Sequence, residues 1–254
     1  MRNHSDDPFF KSLGNKLEAN NLEELYEIVA KLPVKSPLLK KHNHTNNREM
    51  FSLAIYLVKA AQYGFLDFPI RVDKREAPDF LLTVNGHEIG LEHRDIGSER
   101  AHRTTSQNFS GFPDLRLVRY RNLPFSPFGL RQSRSRRKKS LQRQRKTGKG
   151  RNTERRWVKQ AYHGVLDKIR LLNKSHFAHY EQNDLVLYDC TLLRVYQMKR
   201  ALKTLRGHLE TSERYKKAEI HFDTVTIITN RTVYYDFLGE MLALPINPPG
   251  SCEI

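Results

Sequence analysis

The segment DFLLTVNGHEIGLEHR, residues 79–94, constrains the fold of this chain more than any other. Asn85 and Gly86 stand between two runs rich in strand-forming residues, and this pattern predicts a β-hairpin with a two-residue type I′ turn. Both residues tolerate the positive φ angles that such a turn requires. With these two residues as the loop, Val84 lies opposite His87, which fixes the register of both strands.

Alternation along the two strands gives the hairpin an apolar face and a charged face. The apolar face, which must point to a core, carries Phe80, Leu82, Val84, Ile89 and Leu91. On the other face the register places Asp79 directly opposite Glu92, with Gly90 and Arg94 nearby. Two full charges about 5 Å apart repel by roughly 3 kcal/mol at an effective dielectric constant of ~20. The repulsion is weaker if the pair lies at a solvated strand end.

A divalent cation with hard oxygen ligands, Mg²⁺ or Mn²⁺, would offset this repulsion and could bridge to a substrate phosphate. Gly90 lacks a side chain, so we expect it to leave room for close approach to the pair. The two carboxylates therefore predict a metal site, with a screened, solvated pair as the alternative.

The remaining patterns predict a mixed α/β fold around the hairpin. Helices are expected from Asn46 to about Ala61, from Trp157 to Lys174 and around 192–209, and strands near 69–72, 185–188, 224–229 and 232–235. This order predicts an antiparallel meander that continues into a βαβ crossover, within a central mixed sheet flanked by helices. The expected organisation is an N-terminal helical accessory segment (1–45), two halves of the core (46–96 and 156–254) and an insertion with a basic arm (97–155).

Most of the positive charge lies in one short stretch. The chain has 254 residues and a net charge of +16, and residues 131–156 hold thirteen Lys or Arg and one acid. With Leu141 as its single apolar residue, this stretch is predicted to be a mobile arm that contacts phosphates, or else a solvated linker. The candidate phosphate-binding side chains are Arg134, Arg136, Arg137, Lys138, Lys139, Arg143, Arg145 and Lys146.

Pro78-Asp79 on one strand, followed by Glu92-His93-Arg94 on the next, resembles the signature of the PD-(D/E)XK nucleases. The resemblance covers roughly residues 46–95 and 156–236 and implies a restriction-endonuclease-like fold. It also implies that Asp79 and Glu92 bind Mg²⁺ or Mn²⁺, with the backbone carbonyl of His93 as a further ligand. The predicted catalytic residues are then Asp79, Glu92 and Arg94.

Two positions depart from that signature or allow another interpretation. Arg94 occupies the lysine position, and arginine stays protonated and cannot act as a base. Three alternatives remain open at this position. Arg94 replaces the lysine electrostatically, Lys159 or Lys168 of the following helix takes over the function of that lysine, or catalysis has been lost. Glu49 matches an acid that many such nucleases carry on the first core helix, although its offset from Asn46 also suits a helix capping box.

The sequence thus predicts a divergent metal-dependent nuclease that acts on DNA, with RNA as the less expected substrate. A non-catalytic nucleic-acid-binding protein on the same fold is the alternative, and an RNA-bound assembly factor is a third hypothesis that needs only the charge. Two cysteines, an N-terminus without a signal peptide and the lack of a membrane-spanning apolar run predict a cytoplasmic protein with no membrane partner.

Overall fold

The computed structural model describes residues 16–32, 45–97, 149–189, 198–229, 232–237 and 240–246. Within these ranges the chain forms eight strands and five helices. The strands are β1 (Lys16–Ala19), β2 (Ile70–Lys74), β3 (Phe80–Val84), β4 (His87–Ile96), β5 (Gln182–Asp189), β6 (Thr224–Ile228), β7 (Thr232–Phe237) and β8 (Glu240–Pro245). The helices are α1 (Leu22–Lys31), α2 (Thr45–Gln62), α3 (Lys149–Leu172), α4 (Met198–Thr211) and α5 (Glu213–Lys216).

All eight strands belong to one mixed sheet, in which each strand lies beside its neighbour in the chain. Strands β1 to β4 are antiparallel, β4, β5 and β6 are parallel, and β6 to β8 are antiparallel again. Parallel neighbours require a crossover, and α3 and α4 lie in the two crossovers. The predicted meander that continues into a βαβ crossover is confirmed.

The sheet separates two apolar layers. Helix α2 covers one face, where Phe51 and Leu57 pack with Leu82 and Val186. Helices α3 and α4 cover the other face, where Trp157 and Leu202 pack in one cluster with Leu187 of β5. Full burial of each such side chain contributes roughly 1.5–3 kcal/mol relative to exposure. The predicted central sheet flanked by helices is therefore confirmed.

The hairpin has the predicted register, with Val84 paired with His87 and Phe80 paired with Leu91. The turn residues Asn85 and Gly86 have φ angles of 49° and 88°, as a type I′ turn requires. Strand β4 pairs with β3 only as far as Leu91 but continues to Ile96, and its residues 89–96 pair with β5 on the other side. The hairpin is thus anchored in the middle of the sheet.

The structure differs from the sequence prediction at both ends of the sheet and at the start of α3. Strand β1 lies within the predicted helical accessory segment, and its Leu17 and Ala19 are buried against the core. Strand β8 was not predicted either. Helix α3 begins at Lys149, so the prediction of a mobile arm is wrong for residues 149–156. Lysine and arginine favour helix, and the helix that packs on the sheet through Trp157 extends toward its N-terminus through this basic segment.

The predicted helix around 192–209 is described from Met198 onward, and its first residues lie outside the described ranges. None of the helices in the described part of the chain combines the length and the apolar character that a membrane crossing requires.

A buried acid beneath α2 gives the fold a testable pH dependence. Asp184 is 2% exposed, and its carboxylate accepts hydrogen bonds from Tyr56 Oη at 3.0 Å and Gln182 Nε2 at 2.9 Å. Burial raises the pKa of Asp184 to about 6, against the opposing effect of hydrogen bonds from Gln182, Tyr56 and Thr224. The folded chain therefore holds the Asp184 proton more tightly than the unfolded chain does.

We expect Asp184→Asn to remove this pH dependence. A raised folded-state pKa makes the carboxylate destabilising above about pH 6, and this penalty disappears as the pH falls toward its unfolded value. Between pH 7.5 and pH 4.5 the stability of the natural chain should rise by about 2 kcal/mol relative to the variant. Urea unfolding of both proteins at the two pH values measures the difference, and parallel pH profiles would contradict the prediction.

Candidate active site

Asp79 and Glu92 lie together at the open end of the hairpin. Asp79 comes directly before β3, and Glu92 is in the middle of β4. The Asp79 amide donates to Glu92 Oε2 at 3.3 Å, and the His93 amide donates to Asp79 Oδ2 at 2.8 Å. The side chains of Asp79 and Glu92 are 18% and 4% exposed. The pair is therefore largely shielded from solvent, and water does not screen its repulsion as it would at a wet strand end.

Lys168 supplies a cation to both carboxylates. Its ammonium nitrogen lies 3.2 Å from Glu92 Oε1 and 3.4 Å from Asp79 Oδ2, and its side chain is 12% exposed. The helix that carries it, α3, is held against the sheet by Val165 and Ile169. Lys168 was one of the two lysines that the sequence analysis named as a replacement for the lysine of the PD-(D/E)XK signature. The other, Lys159, is exposed and lies elsewhere on α3.

The environment moves the pKa values of the two carboxyl groups in opposite directions. Burial and the neighbouring Asp79 raise the pKa of Glu92, and Lys168 opposes this rise only in part. Burial also acts to raise the pKa of Asp79, but the hydrogen bond with Glu92 and the ammonium groups of Lys168 and Lys74 outweigh it and lower that pKa. The site therefore combines a carboxylate that stays ionised with a carboxyl group that keeps its proton to higher pH.

His93 contributes its backbone to the pair, whereas its side chain points to the opposite face of the sheet. Its imidazole is buried, and Nε2 lies 3.6 Å from Asp95 Oδ1. Burial lowers the His93 pKa, and the carboxylates of Asp95, Asp79 and Glu49 oppose that shift. In an extended strand the N–H and C=O of one residue point to the same edge. The His93 carbonyl is therefore directed toward the strand edge where Asp79 lies.

Glu49 lies near this region but is paired with a different cation. Its Oε2 atom is 2.6 Å from the Lys74 ammonium, and both side chains are almost buried. Helix α2 begins at Thr45, so Asn46 lies inside the helix and does not cap it. Lys74 was not predicted from the sequence, because its position opposite Phe80, next to Asp79, depends on the register between β2 and β3.

Arg94 does not contact the carboxylates to which the sequence assigned it. Its guanidinium bonds to Asp167 at 3.3 Å, and both side chains are about half exposed. The aliphatic part of Arg94 faces Gly164 on α3, where a Cβ atom added to the glycine would lie 3.4 Å from Arg94 Cγ. Among the described residues, Lys168 is thus the cation that contacts both carboxylates, and Arg94 flanks the site.

Gly90 does not leave the open space that was expected from the sequence. A Cβ atom at this position would lie 2.7 Å from Tyr180 Cδ2 and 3.2 Å from both Pro78 Cγ and Asn183 Oδ1. Such contacts are too close, so glycine is required here for packing. The expectation that Gly90 makes room for a ligand is wrong, because Tyr180 fills that space.

Within the described ranges, no group of three or more His, Cys, Asp or Glu side chains is arranged to hold a metal ion. The predicted phosphate-binding residues from Arg134 to Lys146 lie outside those ranges. Comparisons of the chain with models of protein families, with curated proteins and with solved structures give no match.

Proposed function

We propose that this chain is a divalent-metal-dependent phosphodiester hydrolase with a restriction-endonuclease-like core, acting on nucleic acid. The observation that carries the proposal is the contact of one buried ammonium group, that of Lys168, with two carboxylates on neighbouring strands. The order of elements from α2 through the hairpin to α3 and β5 agrees with the resemblance found in the sequence. The net charge of +16 suits a polyanionic substrate.

The residues of the pair suit a hard divalent cation. Asp79 and Glu92 offer carboxylate oxygens, and the His93 carbonyl is directed to the same side. Mg²⁺ typically takes one or two carboxylates and completes its coordination with water and substrate phosphate oxygens. When bound, such an ion would lower the pKa of a water molecule and stabilise charge on the phosphate. Two carboxylates and one carbonyl are enough for this mode of binding.

The roles of the other residues follow from their positions. Lys168 holds its ammonium over the carboxylates, from where it can orient an attacking water molecule or stabilise negative charge that develops on a phosphate oxygen. Arg94 lies beside the pair and is half exposed, so it can contact a flanking phosphate through the part of its guanidinium not engaged by Asp167.

A second candidate function rests on the same contact interpreted differently. Lys168 already neutralises part of the charge on Asp79 and Glu92, so the buried pair can exist without a metal ion. In that case the three residues stabilise the fold, and the chain binds nucleic acid without cutting it. Arginine at position 94, where the PD-(D/E)XK signature has lysine, favours this alternative.

Incubation of the full chain with plasmid DNA, single-stranded DNA and structured RNA, in Mg²⁺, Mn²⁺ or EDTA, tests the proposal. We expect cleavage of at least one substrate with a divalent cation and none in EDTA. The melting temperature should also rise with Mn²⁺, because a ligand that binds only the folded state stabilises it. Binding of all three substrates without cleavage, together with an unchanged melting temperature, would favour the non-catalytic alternative.

A further inference from the structure

A groove runs between α3 and α4 on the outer side of the helical layer. Its volume is about 710 Å³, and Val158 and Ala201, both buried, form its floor. The cationic and aromatic side chains along it are Arg155, Lys159, Tyr162, His163, Arg200 and His208. The groove is separate from the Asp79–Glu92 pair, because Lys159 and Lys168 lie on opposite sides of α3.

The regular spacing of these residues follows from helix geometry. Arg155, Lys159 and His163 recur every four residues and form one stripe along α3. A second stripe on α4 repeats at the same interval, with Arg200 and His208 either side of Thr204, which also lines the groove. Because α3 and α4 both run back across the sheet between parallel strands, the two stripes run side by side in the same direction.

The electrostatic character of the groove is strongly positive. Glu154 is the one acid among its lining residues, against three Lys or Arg and two histidines. Besides Arg200, the segment 198–217, which contains α4 and α5, adds six Lys or Arg against two acids. Among the described residues, Arg155 and Lys159 form no ion pair with a carboxylate. Uncompensated cations along a cleft attract polyanions and raise their local concentration.

Aromatic rings lie among these cations. Tyr162 packs edge-on against His163 and His208, with ring centroids 5.5 Å and 6.3 Å apart. The Tyr162 hydroxyl is held by Ser212 Oγ at 2.9 Å, so the ring has a fixed position. Cations that follow a backbone, interleaved with rings that can contact bases, form the arrangement that proteins use to bind single strands.

We propose that this groove binds the phosphodiester backbone of a single-stranded nucleic acid, with phosphates on Arg155, Lys159 and Arg200 and bases against the rings. Arg155, at the end of the basic run, lies in the first turns of α3 and lines the groove. The site shares with the proposed function only its class of ligand, and holding a strand here does not require that the carboxylate pair cut it.

Fluorescence anisotropy with a 5′-fluorescein-labelled 20-nucleotide oligothymidylate tests this groove in EDTA, where no metal-dependent cleavage occurs. The variant Arg155→Gln/Lys159→Gln removes two exposed charges from the groove. The matched control Lys31→Gln/Arg71→Gln removes two charges from α1 and β2, where the side chains are 69% and 42% exposed. We expect the groove variant to weaken binding roughly tenfold and to reduce the slope of log K against log salt by about 1.4. The control should stay within about twofold of the natural chain.

A second measurement locates the strand directly. The photoreactive residue p-benzoylphenylalanine is introduced at Thr204, which lines the groove, and, in a separate chain, at the exposed Glu27 on α1. We expect the labelled oligonucleotide to crosslink at position 204 and not at 27. Equal losses of affinity in both charge variants, or no crosslink at 204, would overturn the proposal. Crosslinking at position 204 without cleavage of any substrate would support the groove and refute the proposed hydrolase. Cleavage without crosslinking at position 204 would support the hydrolase and refute the groove.

Discussion

Replacement of Lys168 by methionine is expected to lower the free energy of unfolding in EDTA by about 3 kcal/mol and to reduce cleavage by roughly 100-fold or more. Methionine keeps much of the length of the lysine side chain but leaves two nearly buried carboxylates without their shared cation. Mn²⁺ should restore much of the lost stability, because a divalent cation can neutralise the same oxygens. Chemical denaturation with and without Mn²⁺ measures both effects on stability, and cleavage rates measure the loss of activity.

Lys159→Met is the matched control for the effect on stability. Lys159 lies on the same helix, nine residues earlier, but is exposed and forms no ion pair with a carboxylate among the described residues. Its loss should change the unfolding free energy by less than about 0.5 kcal/mol. If Lys168→Met is destabilised and Mn²⁺ has no effect on it, the carboxylate–ammonium cluster has a purely structural role and the non-catalytic function is favoured.

Asp79→Asn is expected to abolish metal-dependent cleavage, with a loss of roughly 1000-fold or more, while the fold is retained. Asparagine has the size of aspartate and still offers an oxygen to the His93 amide, so the local hydrogen bond can persist. It lacks the negative charge that binds a hard cation and pairs with Lys168. Rates of cleavage under saturating Mg²⁺, beside circular dichroism melts, test both parts of the prediction.

The control for this change is Asp167→Asn, which removes a half-exposed acid that pairs with Arg94. We expect this control to retain cleavage within about threefold, because exposed ion pairs contribute little. Comparable losses in Asp79→Asn and Asp167→Asn would indicate a general effect of charge. Full activity in Asp79→Asn would exclude Asp79 as a ligand of a catalytic metal ion.

The hairpin could be predicted from sequence because its register depends only on a two-residue turn and on strict alternation. These local rules were enough to bring Asp79 and Glu92 together. The strands at the ends of the sheet could not be predicted in this way. Strand β1 has four residues, too few for a pattern, and β8 has the helix-favouring composition EMLALP, whose strand conformation depends on pairing with β7.

The sequence analysis left the choice between Lys159 and Lys168 open, although helix geometry distinguishes the two residues. Nine residues correspond to two and a half turns, so the two side chains point in opposite directions. Lys168 falls within the stripe formed by Trp157, Val165 and Leu172, which faces the sheet, and Lys159 falls on the outer side. What the sequence could not supply is how α3 crosses β4, because that contact joins residues far apart in the chain.

The order of the site residues along the chain also determines when the site can be completed during translation. Asp79 and Glu92 belong to a hairpin that precedes the long insertion, whereas Lys168 belongs to the helix that follows it. At roughly 5–20 residues per second, a ribosome needs several seconds to add the intervening seventy-odd residues. During that time the acidic pair lacks the ammonium group of Lys168, so a nascent or truncated chain that ends before α3 carries an incomplete site.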